Sequence, residues 1–298
     1  MSIHLGDKKV GAIILKEDPA LKGLIEGSLT NLVIPDGTAE IRRYAFYYSP
    51  ITSIIIPNTV TVINERAFEG SGLTNIEISS GATSIGQYAF RYCVKLTSAV
   101  IPDSVTSIGT GVFDQCTALT NVTLNLNPSI TTMPNSLFQS CNKLTEIVIP
   151  DSITTLGNYV FNNCSKLSKV TMSNNITTLG MQAFSGCSSL KEITLPEALN
   201  IIGQTCFYNC KGLTELRFGK NLTKINAEAF HSCTNILKYV FSSELTAVPT
   251  LASTNAFTNI NANCKIYVPD ALYDTWITAT NWSTYASKIV KLSEMPTE

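Results

Sequence analysis

Phenylalanine recurs at a nearly fixed interval along most of this chain. Ten of the twelve phenylalanines follow one another at separations of 22 to 27 residues. They are Phe46, Phe68, Phe90, Phe113, Phe138, Phe161, Phe184, Phe207, Phe230 and Phe257. Such an interval indicates a tandem array whose units bury their apolar edges only against their neighbours. The sequence therefore predicts a repeat solenoid of ten coils, each about 23 residues long.

Aligning the units on their phenylalanines gives the path of one coil. Each unit begins L-x-x-[LIV]-x-[LIV], an alternation that predicts a strand with one buried face. Proline then ends the strand in several units (Pro35, Pro57, Pro102, Pro150 and Pro196), and turn residues follow. A second apolar pair comes next, often closed by glycine (Gly86, Gly109, Gly157, Gly180 and Gly203), before the segment xxAFxxCxxL. Its spacing of 3 to 4 residues indicates a short helical turn. The predicted coil is strand, turn, short extended piece and helical turn, with one parallel strand per coil.

The third and fifth positions of each predicted strand point away from the core and vary from unit to unit. They are apolar or neutral in the first half of the chain, apart from Glu77 and Glu146, and carry mixed charge in the second half. The candidate partner-binding residues drawn from them are Val33, Ile55, Val100, Val148, Lys169, Glu192, Glu215, Arg217 and Lys238. A variable surface on an invariant scaffold is typical of protein recognition. The alternative is that β-branched residues merely favour strands.

Cysteine and histidine give little indication of chemistry. Seven cysteines follow the repeated phenylalanine by three residues, where earlier units carry Ser49 and Ser71, so they are predicted to be buried thiols. They are Cys93, Cys116, Cys141, Cys164, Cys187, Cys210 and Cys233. His231 occupies a column of freely varying residues and is expected to face solvent. No catalytic, cofactor-binding or metal-binding residues are assigned, no cofactor is expected, and the chain is predicted not to be an enzyme.

Composition narrows the possible partners. The formal net charge is −1 and charged residues make up 14%, without a basic cluster that would capture nucleic acid. No stretch approaches a membrane span, so no membrane insertion is expected. No signal peptide is visible at the N-terminus, where the apolar run from Val10 to Leu15 is short and broken by Gly11.

The unit LTEIVIPDSITTLGNYVFNNCSK, residues 144–166, resembles the BspA-like leucine-rich repeat. The resemblance covers residues 29 to about 262 and recurs ten times. It implies a β-rich α/β fold, a right-handed superhelix whose parallel main sheet lies on the concave side. It also implies a bacterial cell-surface or secreted protein that contacts host matrix proteins, host cells or other bacteria. The family has no shared catalytic residues to transfer.

The two ends depart from the repeat and are predicted to be caps. Residues 1–28 form the expected N-terminal cap, 29–262 the solenoid and 263–298 the C-terminal cap. The last contains one more strand at Ile266–Val268 and a helix over Ala271–Thr278. Its aromatic residues, Tyr273, Trp276, Trp282 and Tyr285, are interpreted as cover for the last coil.

Three functions follow as hypotheses. The first is an adhesion protein that binds a host or bacterial protein through the concave strands. The second is a structural component of a phage-tail-like or cell-envelope assembly. The third is a glycan-binding module that uses the aromatic C-terminal cap.

Overall fold

The computed structural model describes residues 31–296 and forms a parallel β-solenoid in which strands about one repeat apart pair with each other. The cap predicted for residues 1–28 lies outside the described residues. The described chain divides into two compact units. The N-terminal unit contains residues 31–130 and 134–144, and the C-terminal unit contains 131–133 and 145–296.

Two kinds of strand build the coils, although the coil that contains residues 191–195 has only the short one. The long strands have three or four residues and coincide with the predicted L-x-x-[LIV]-x-[LIV] segment. In the N-terminal unit they are β1 (Asn31–Val33), β3 (Ser53–Ile55), β5 (Asn75–Glu77), β7 (Ser98–Ile101) and β9 (Asn121–Leu124). In the C-terminal unit they are β11 (Glu146–Val148), β13 (Lys169–Thr171), β16 (Glu215–Phe218), β18 (Lys238–Phe241) and β20 (Lys265–Val268).

The second apolar pair of each unit is also a strand, which the single-strand prediction missed. The short strands are β2 (Glu40–Ile41), β4 (Val62–Ile63), β6 (Ser84–Ile85), β8 (Ser107–Ile108), β10 (Thr132–Met133), β12 (Thr155–Leu156), β14 (Thr178–Leu179), β15 (Ile201–Ile202), β17 (Lys224–Ile225) and β19 (Thr250–Leu251). They form a four-stranded parallel sheet in the N-terminal unit and a six-stranded one in the C-terminal unit. Two residues are too few to signal a strand by alternation, so only the repeat itself reveals them.

The repeat also sets the register of the sheets. Equivalent positions of successive units face each other, as in Leu32 with Ile54 and Leu216 with Tyr239. Proline ends the strand as predicted, and its carbonyl accepts the first hydrogen bond of the next turn, as Pro150 does from the N–H of Ile153 at 3.0 Å. In-register stacking puts identical side-chain types on top of one another.

The segment around each phenylalanine is a run of turns, not the predicted helical turn. The N–H of Tyr47 donates three residues back to Tyr44, but that of Phe46 donates to Ala67 in the next coil at 2.7 Å. The residues two before and two after the phenylalanine have left-handed backbones, with φ of 60° at Tyr44 and 50° at Tyr48. A left-handed residue ends helical propagation, and a 3-to-4 spacing of apolar residues fits either arrangement.

The phenylalanines form the centre of the core in both units. Neighbouring rings stack, with centroids 5.1 Å apart for Phe68 and Phe90 and 5.4 Å apart for Phe184 and Phe207. All ten are buried. Each ring removes on the order of 150–250 Å² from water, so this column is the largest apolar contribution of each coil to stability.

Uncharged side chains complete the hydrogen bonding between coils at the surface. The hydroxyl of Thr83 donates to the carbonyl of Thr61 at 3.1 Å, and the amide of Asn175 donates to that of Asp151 at 2.9 Å. Such bonds recur in both units. These bonds give the abundant threonine and asparagine residues a structural role in a chain with only 14% charged residues.

The C-terminal residues depart from the repeat in the expected places. Strand β20 coincides with the predicted strand, and helix α1 (Tyr273–Thr278) lies within the predicted helix, after a 3₁₀ turn at Asp270–Leu272. A 3₁₀ helix follows at Trp282–Lys288, then strand β21 (Ile289–Lys291), which pairs with β20, and a last 3₁₀ turn at Leu292–Glu294.

The glycines that close the short strands are required by the close approach of successive coils. A Cβ atom on Gly203 would stand 2.4 Å from the carbonyl carbon of Gly180, and one on Gly180 would stand 2.4 Å from the carbonyl oxygen of Gly157. Backbone atoms cannot move aside without breaking the strand pairing on both sides. At these coils the absence of a Cβ atom therefore allows the observed close stacking.

We expect Gly203→Ala to lower the free energy of unfolding by at least about 2 kcal/mol, because it overpacks a rigid contact. The matched control is Asn226→Ala one coil later, where a Cβ is already accommodated and only the 2.9 Å hydrogen bond to the Ile202 carbonyl is lost, at a cost of about 1 kcal/mol. Urea unfolding measures both. Equal losses in the two variants would contradict the close-approach explanation.

The cysteine column is buried as predicted, and each thiol has a structural role. The S–H groups donate to the phenylalanine carbonyl of the preceding coil, as Cys210 does to Phe184 at 3.1 Å and Cys233 to Phe207 at 3.0 Å. Burial raises the pKa of Cys187 and Cys210 well above the ordinary thiol value, and that of Cys233 to about 12. The thiols therefore stay protonated in the folded chain at pH values where exposed thiols ionise.

We expect alkaline pH to destabilise the fold through these thiols. The unfolded chain releases their protons near pH 8.5 while the folded chain retains them, so the stability present below that pH is lost as pH rises towards the raised folded pKa. Cys187, Cys210 and Cys233 each contribute a loss of about 2 kcal/mol between pH 8 and pH 10.

The measurement is urea unfolding of the wild type, Cys210→Ser and Ser71→Cys across this pH range. Removal of one thiol should make the free energy of unfolding less dependent on pH. Addition of one thiol in the same column should make it more dependent on pH. Parallel curves for all three proteins would contradict the prediction.

Candidate functional site

The outward residues of the long strands form one surface in each unit, here called the long-strand face. In the N-terminal unit Val33 and Ile55 are register partners whose side chains are 62% and 64% exposed. Val100 on β7 is half-buried, so it contributes less surface than the sequence indicated. Its neighbours in register are the exposed Glu77 and Thr123.

The long-strand face of the C-terminal unit begins with another exposed valine. Val148 is 66% exposed and lies beside Thr171. The outward pattern ends at β18, where Val240 is only 6% exposed and pairs with the buried Tyr267 of β20. The strands that carry the exposed apolar residues have buried or half-buried side chains on their inward side.

The charged candidates fall into three arrangements within the C-terminal unit. Lys169 is the exposed register partner of Glu146. Glu192 is exposed, but residues 191–195 form no strand, so the predicted strand is absent there. Glu215 joins the other two candidates, with one carboxylate oxygen 2.6 Å from Arg217 Nε and the other 3.8 Å from Lys238 Nζ.

The column after the phenylalanine does not face solvent throughout, contrary to the prediction made for His231. Glu69 and Asp114 in this column are buried, and the carboxylate of Asp114 accepts a hydrogen bond from Arg91 Nε at 2.8 Å. Burial raises the pKa of Asp114 although the arginine opposes the shift. His231 is itself half-buried and stacks on Tyr208 with centroids 5.0 Å apart. Variation in a column therefore does not prove exposure, because side chains of the next coil cover it.

A second surface in the N-terminal unit was not identified from the sequence. The turn runs of three successive coils bring together tyrosines and arginines, here called the tyrosine surface: Tyr44, Tyr47, Tyr48, Tyr88, Tyr92, Arg43, Arg66 and Arg91. The guanidinium of Arg91 lies 4.5 Å from the ring centre of Tyr92 and 5.0 Å from that of Tyr88. Tyr47 and Tyr48 meet edge to face at 4.7 Å.

Carboxylates beneath the rings hold the arginines of the tyrosine surface. Arg66 pairs with Glu69 at 3.0 Å, and Arg43 pairs with Glu65 at 3.0 Å. The signal in the sequence was the recurrence of tyrosine two before and two after Phe46 and Phe90, with arginine in or beside these columns.

Three of the four aromatic residues singled out in the C-terminal cap are interior residues, and the fourth, Tyr273, is half-buried. Trp276, Trp282 and Tyr285 are buried, and Trp282 Nε1 donates to the Pro249 carbonyl at 2.7 Å. Phe241 contacts Trp276 edge to face, and Phe257 packs against Trp282. The rings of these three residues lack the open faces that stacking on a sugar requires, which leaves only the half-buried Tyr273 among the residues of the glycan-binding hypothesis.

The described part of the chain contains neither a cluster of metal-ligating side chains nor a membrane-spanning helix. Among residues 31–296 no group of three or more histidine, cysteine or acidic side chains is placed to hold a metal ion. None of the helices in this range has the length and apolar character needed to cross a membrane.

Comparison with known proteins identifies leucine-rich repeats in this chain. The family model for the BspA type leucine rich repeat region, in six copies, matches residues 39–168 and 131–264. A search of curated proteins returned no match.

Solved structures show the same similarity. A leucine-rich repeat protein from Bacteroides ovatus is 22% identical, over 89% of this chain and 84% of that one, with a TM-score of 0.46. The Treponema pallidum leucine-rich repeat protein is 28% identical over 54% of this chain and 78% of that one, with a TM-score of 0.49. The pneumococcal vaccine antigen PcpA is 19% identical over 89% of this chain and 78% of that one, with a TM-score of 0.46.

The repeat geometry and the family model agree over most of the chain. Proteins of this kind are typically non-catalytic repeat scaffolds. Since the matched residues span well over half of the sequence, the chain belongs to the BspA-type leucine-rich repeat family.

Proposed function

We propose that this protein is a non-catalytic binding scaffold of the bacterial cell surface or of the secreted fraction. Its partner is a protein, either of the host matrix or host cell surface or of another bacterium. Contact is made through the long-strand face. Membership of a family of bacterial surface scaffolds supports the proposal at the level of class.

The observation that carries the proposal is the exposure of branched apolar side chains on a rigid sheet. Val33, Ile55 and Val148 are each more than 60% exposed, at 62%, 64% and 66%. The backbone beneath them is paired in register with a neighbouring coil, Val33 with Ile55 and Val148 with Thr171, so little conformational entropy is lost when a partner covers them. Exposed apolar groups rimmed by polar residues are typical of protein-binding surfaces.

The charged residues of the same face supply selectivity. Glu215 already neutralises part of the charge of Arg217 and Lys238, so a partner gains modestly from pairing with them. A partner of mismatched charge is nevertheless repelled, which favours one ligand over others.

We expect Val33→Glu and Ile55→Glu each to weaken partner binding at least about fivefold while changing the free energy of unfolding by less than about 1 kcal/mol. The protein is immobilised and presented with purified extracellular matrix proteins, host cells and bacterial cells, and retained partners are titrated. The control is Val94→Glu, because Val94 is 50% exposed in the turn run and lies outside the long strands. Equal effects of all three variants, or none, would exclude the apolar site.

We expect the double exchange Glu215→Arg with Arg217→Glu to weaken binding while preserving stability, because the internal ion pair is rebuilt with reversed positions. The control exchange is Lys220→Glu with Glu244→Lys, which reverses an exposed pair 2.7 Å apart outside the long strands. Binding is compared at low and physiological salt, where a charge effect diminishes as salt rises. An unchanged affinity at both salt concentrations would remove these residues from the site.

A further inference from the structure

We propose that the tyrosine surface of the N-terminal unit docks a proline-rich segment of a partner protein in the polyproline II conformation. This site uses the turn runs and not the long strands, so it is a second interaction surface beyond the one proposed above. Four features of the surface lead to this ligand: its backbone, its charge balance, its hydroxyl groups and its spacing.

The backbone positions of the tyrosines are costly for stability. Tyr44, Tyr48, Tyr88 and Tyr92 have φ between 50° and 60°, in the left-handed region. The column of Tyr44 and Tyr88 also holds Arg66, Gln182 and Glu228 with left-handed backbones. In the column of Tyr48 and Tyr92, however, most other coils have glycine, asparagine or serine, which adopt this conformation more readily: Gly70, Ser140, Asn163, Gly186, Asn209, Ser232 and Asn259. A bulky residue held there is a strained choice, and strain of this kind concentrates at functional sites.

The rings are held in fixed positions by the coil that follows. A Cβ atom added to Gly70 would stand 2.6 Å from the ring of Tyr48, and one added to Gly111 would stand 2.6 Å from a ring atom of Tyr88. One face of each ring therefore rests on glycine backbone. Tyr48 remains 51% exposed, so a preformed aromatic face is open to a ligand at little entropic cost.

The charges of the tyrosine surface are balanced internally. Arg91 pairs with the buried Asp114, and Arg66 and Arg43 pair with glutamates. A nucleic acid strand also stacks on aromatic rings, but it needs an excess of positive charge that this surface lacks. The surface instead favours an uncharged ligand with flat apolar sides.

The hydroxyl groups of the tyrosines are oriented by the arginines. Arg43 Nη2 donates to the Tyr44 oxygen at 3.3 Å, and Arg91 Nη2 donates to the Tyr92 oxygen at 3.3 Å. Since each oxygen accepts from an arginine, its own O–H is left to donate outward. The carbonyls of a polyproline II segment have no internal partners and accept such bonds.

The spacing of the rings matches the period of the ligand. Tyr48 and Tyr92 occupy the same column two coils apart, and the phenylalanine rings of these coils are separated by two steps of 5.1 Å. The polyproline II helix repeats every three residues, or about 9.3 Å. Equivalent faces of successive ligand turns therefore meet successive tyrosines, as in other aromatic sites for proline-rich segments.

The test is fluorescence anisotropy of a labelled twelve-residue polyproline peptide titrated with the protein. We expect saturable binding in the micromolar to millimolar range, and we expect the double variant Tyr48→Asn with Tyr92→Asn to weaken it about tenfold or more. Asparagine accepts the left-handed backbone, so this variant keeps or raises the melting temperature. The control is Tyr159→Asn, which has the same left-handed geometry in the C-terminal unit and should leave binding unchanged.

Three results would overturn the proposal. They are the absence of peptide binding up to about 1 mM, an affinity unaffected by the double variant, or tyrosine-dependent binding of cellohexaose or an oligothymidylate in place of the peptide. The Ile55→Glu variant should bind the peptide normally. Its behaviour separates a failure at this surface from a failure at the long-strand face.

Discussion

The backbone hydrogen bonds between successive coils are the constraint on which the rest of the molecule depends. Strands pair only when their axes are about 4.8 Å apart, so each coil must repeat the path of the last. Any residue that cannot keep this spacing is excluded from its column. Glycine is required where Gly203 meets Gly180, and stacked phenylalanine rings, 5.1 to 5.7 Å apart between Phe46 and Phe138, fill the interior at the same interval.

The same constraint explains why the phenylalanine segment is a run of turns. In a helix every N–H would donate within its own coil, and none would be left to pair with the next coil. In the observed run, alternate N–H groups point along the stack, as those of Phe46 and Phe68 do, and the others close local turns. For the N–H direction to alternate from one residue to the next, left-handed residues are required on both sides of the phenylalanine. Strained backbone is therefore part of the design of each coil.

Much of this could be predicted from the sequence, because a repeat aligns with itself. The interval predicted the solenoid, alternation predicted the long strands, and the constant cysteine column predicted buried thiols. The turn run was missed because helical spacing and consecutive turns place Ala, Phe and Cys at similar intervals. The burial of Glu69 and Asp114 was missed for another reason. Their column varies freely, yet arginines from their own and neighbouring coils compensate the buried charge.

The burial of a variable residue is therefore indicated better by its partners in adjacent coils than by variation within its own column. Glu69 alone would be an intolerable buried charge, and Arg66 and Arg91 make it acceptable only because they stand within reach of it. The result is a local group that the scaffold neither requires nor repeats: tyrosines in strained positions, arginines stacked on them and acids beneath. Residues that stack identically in every coil account for stability. The tyrosine surface occurs once, and it is where we propose that a partner binds.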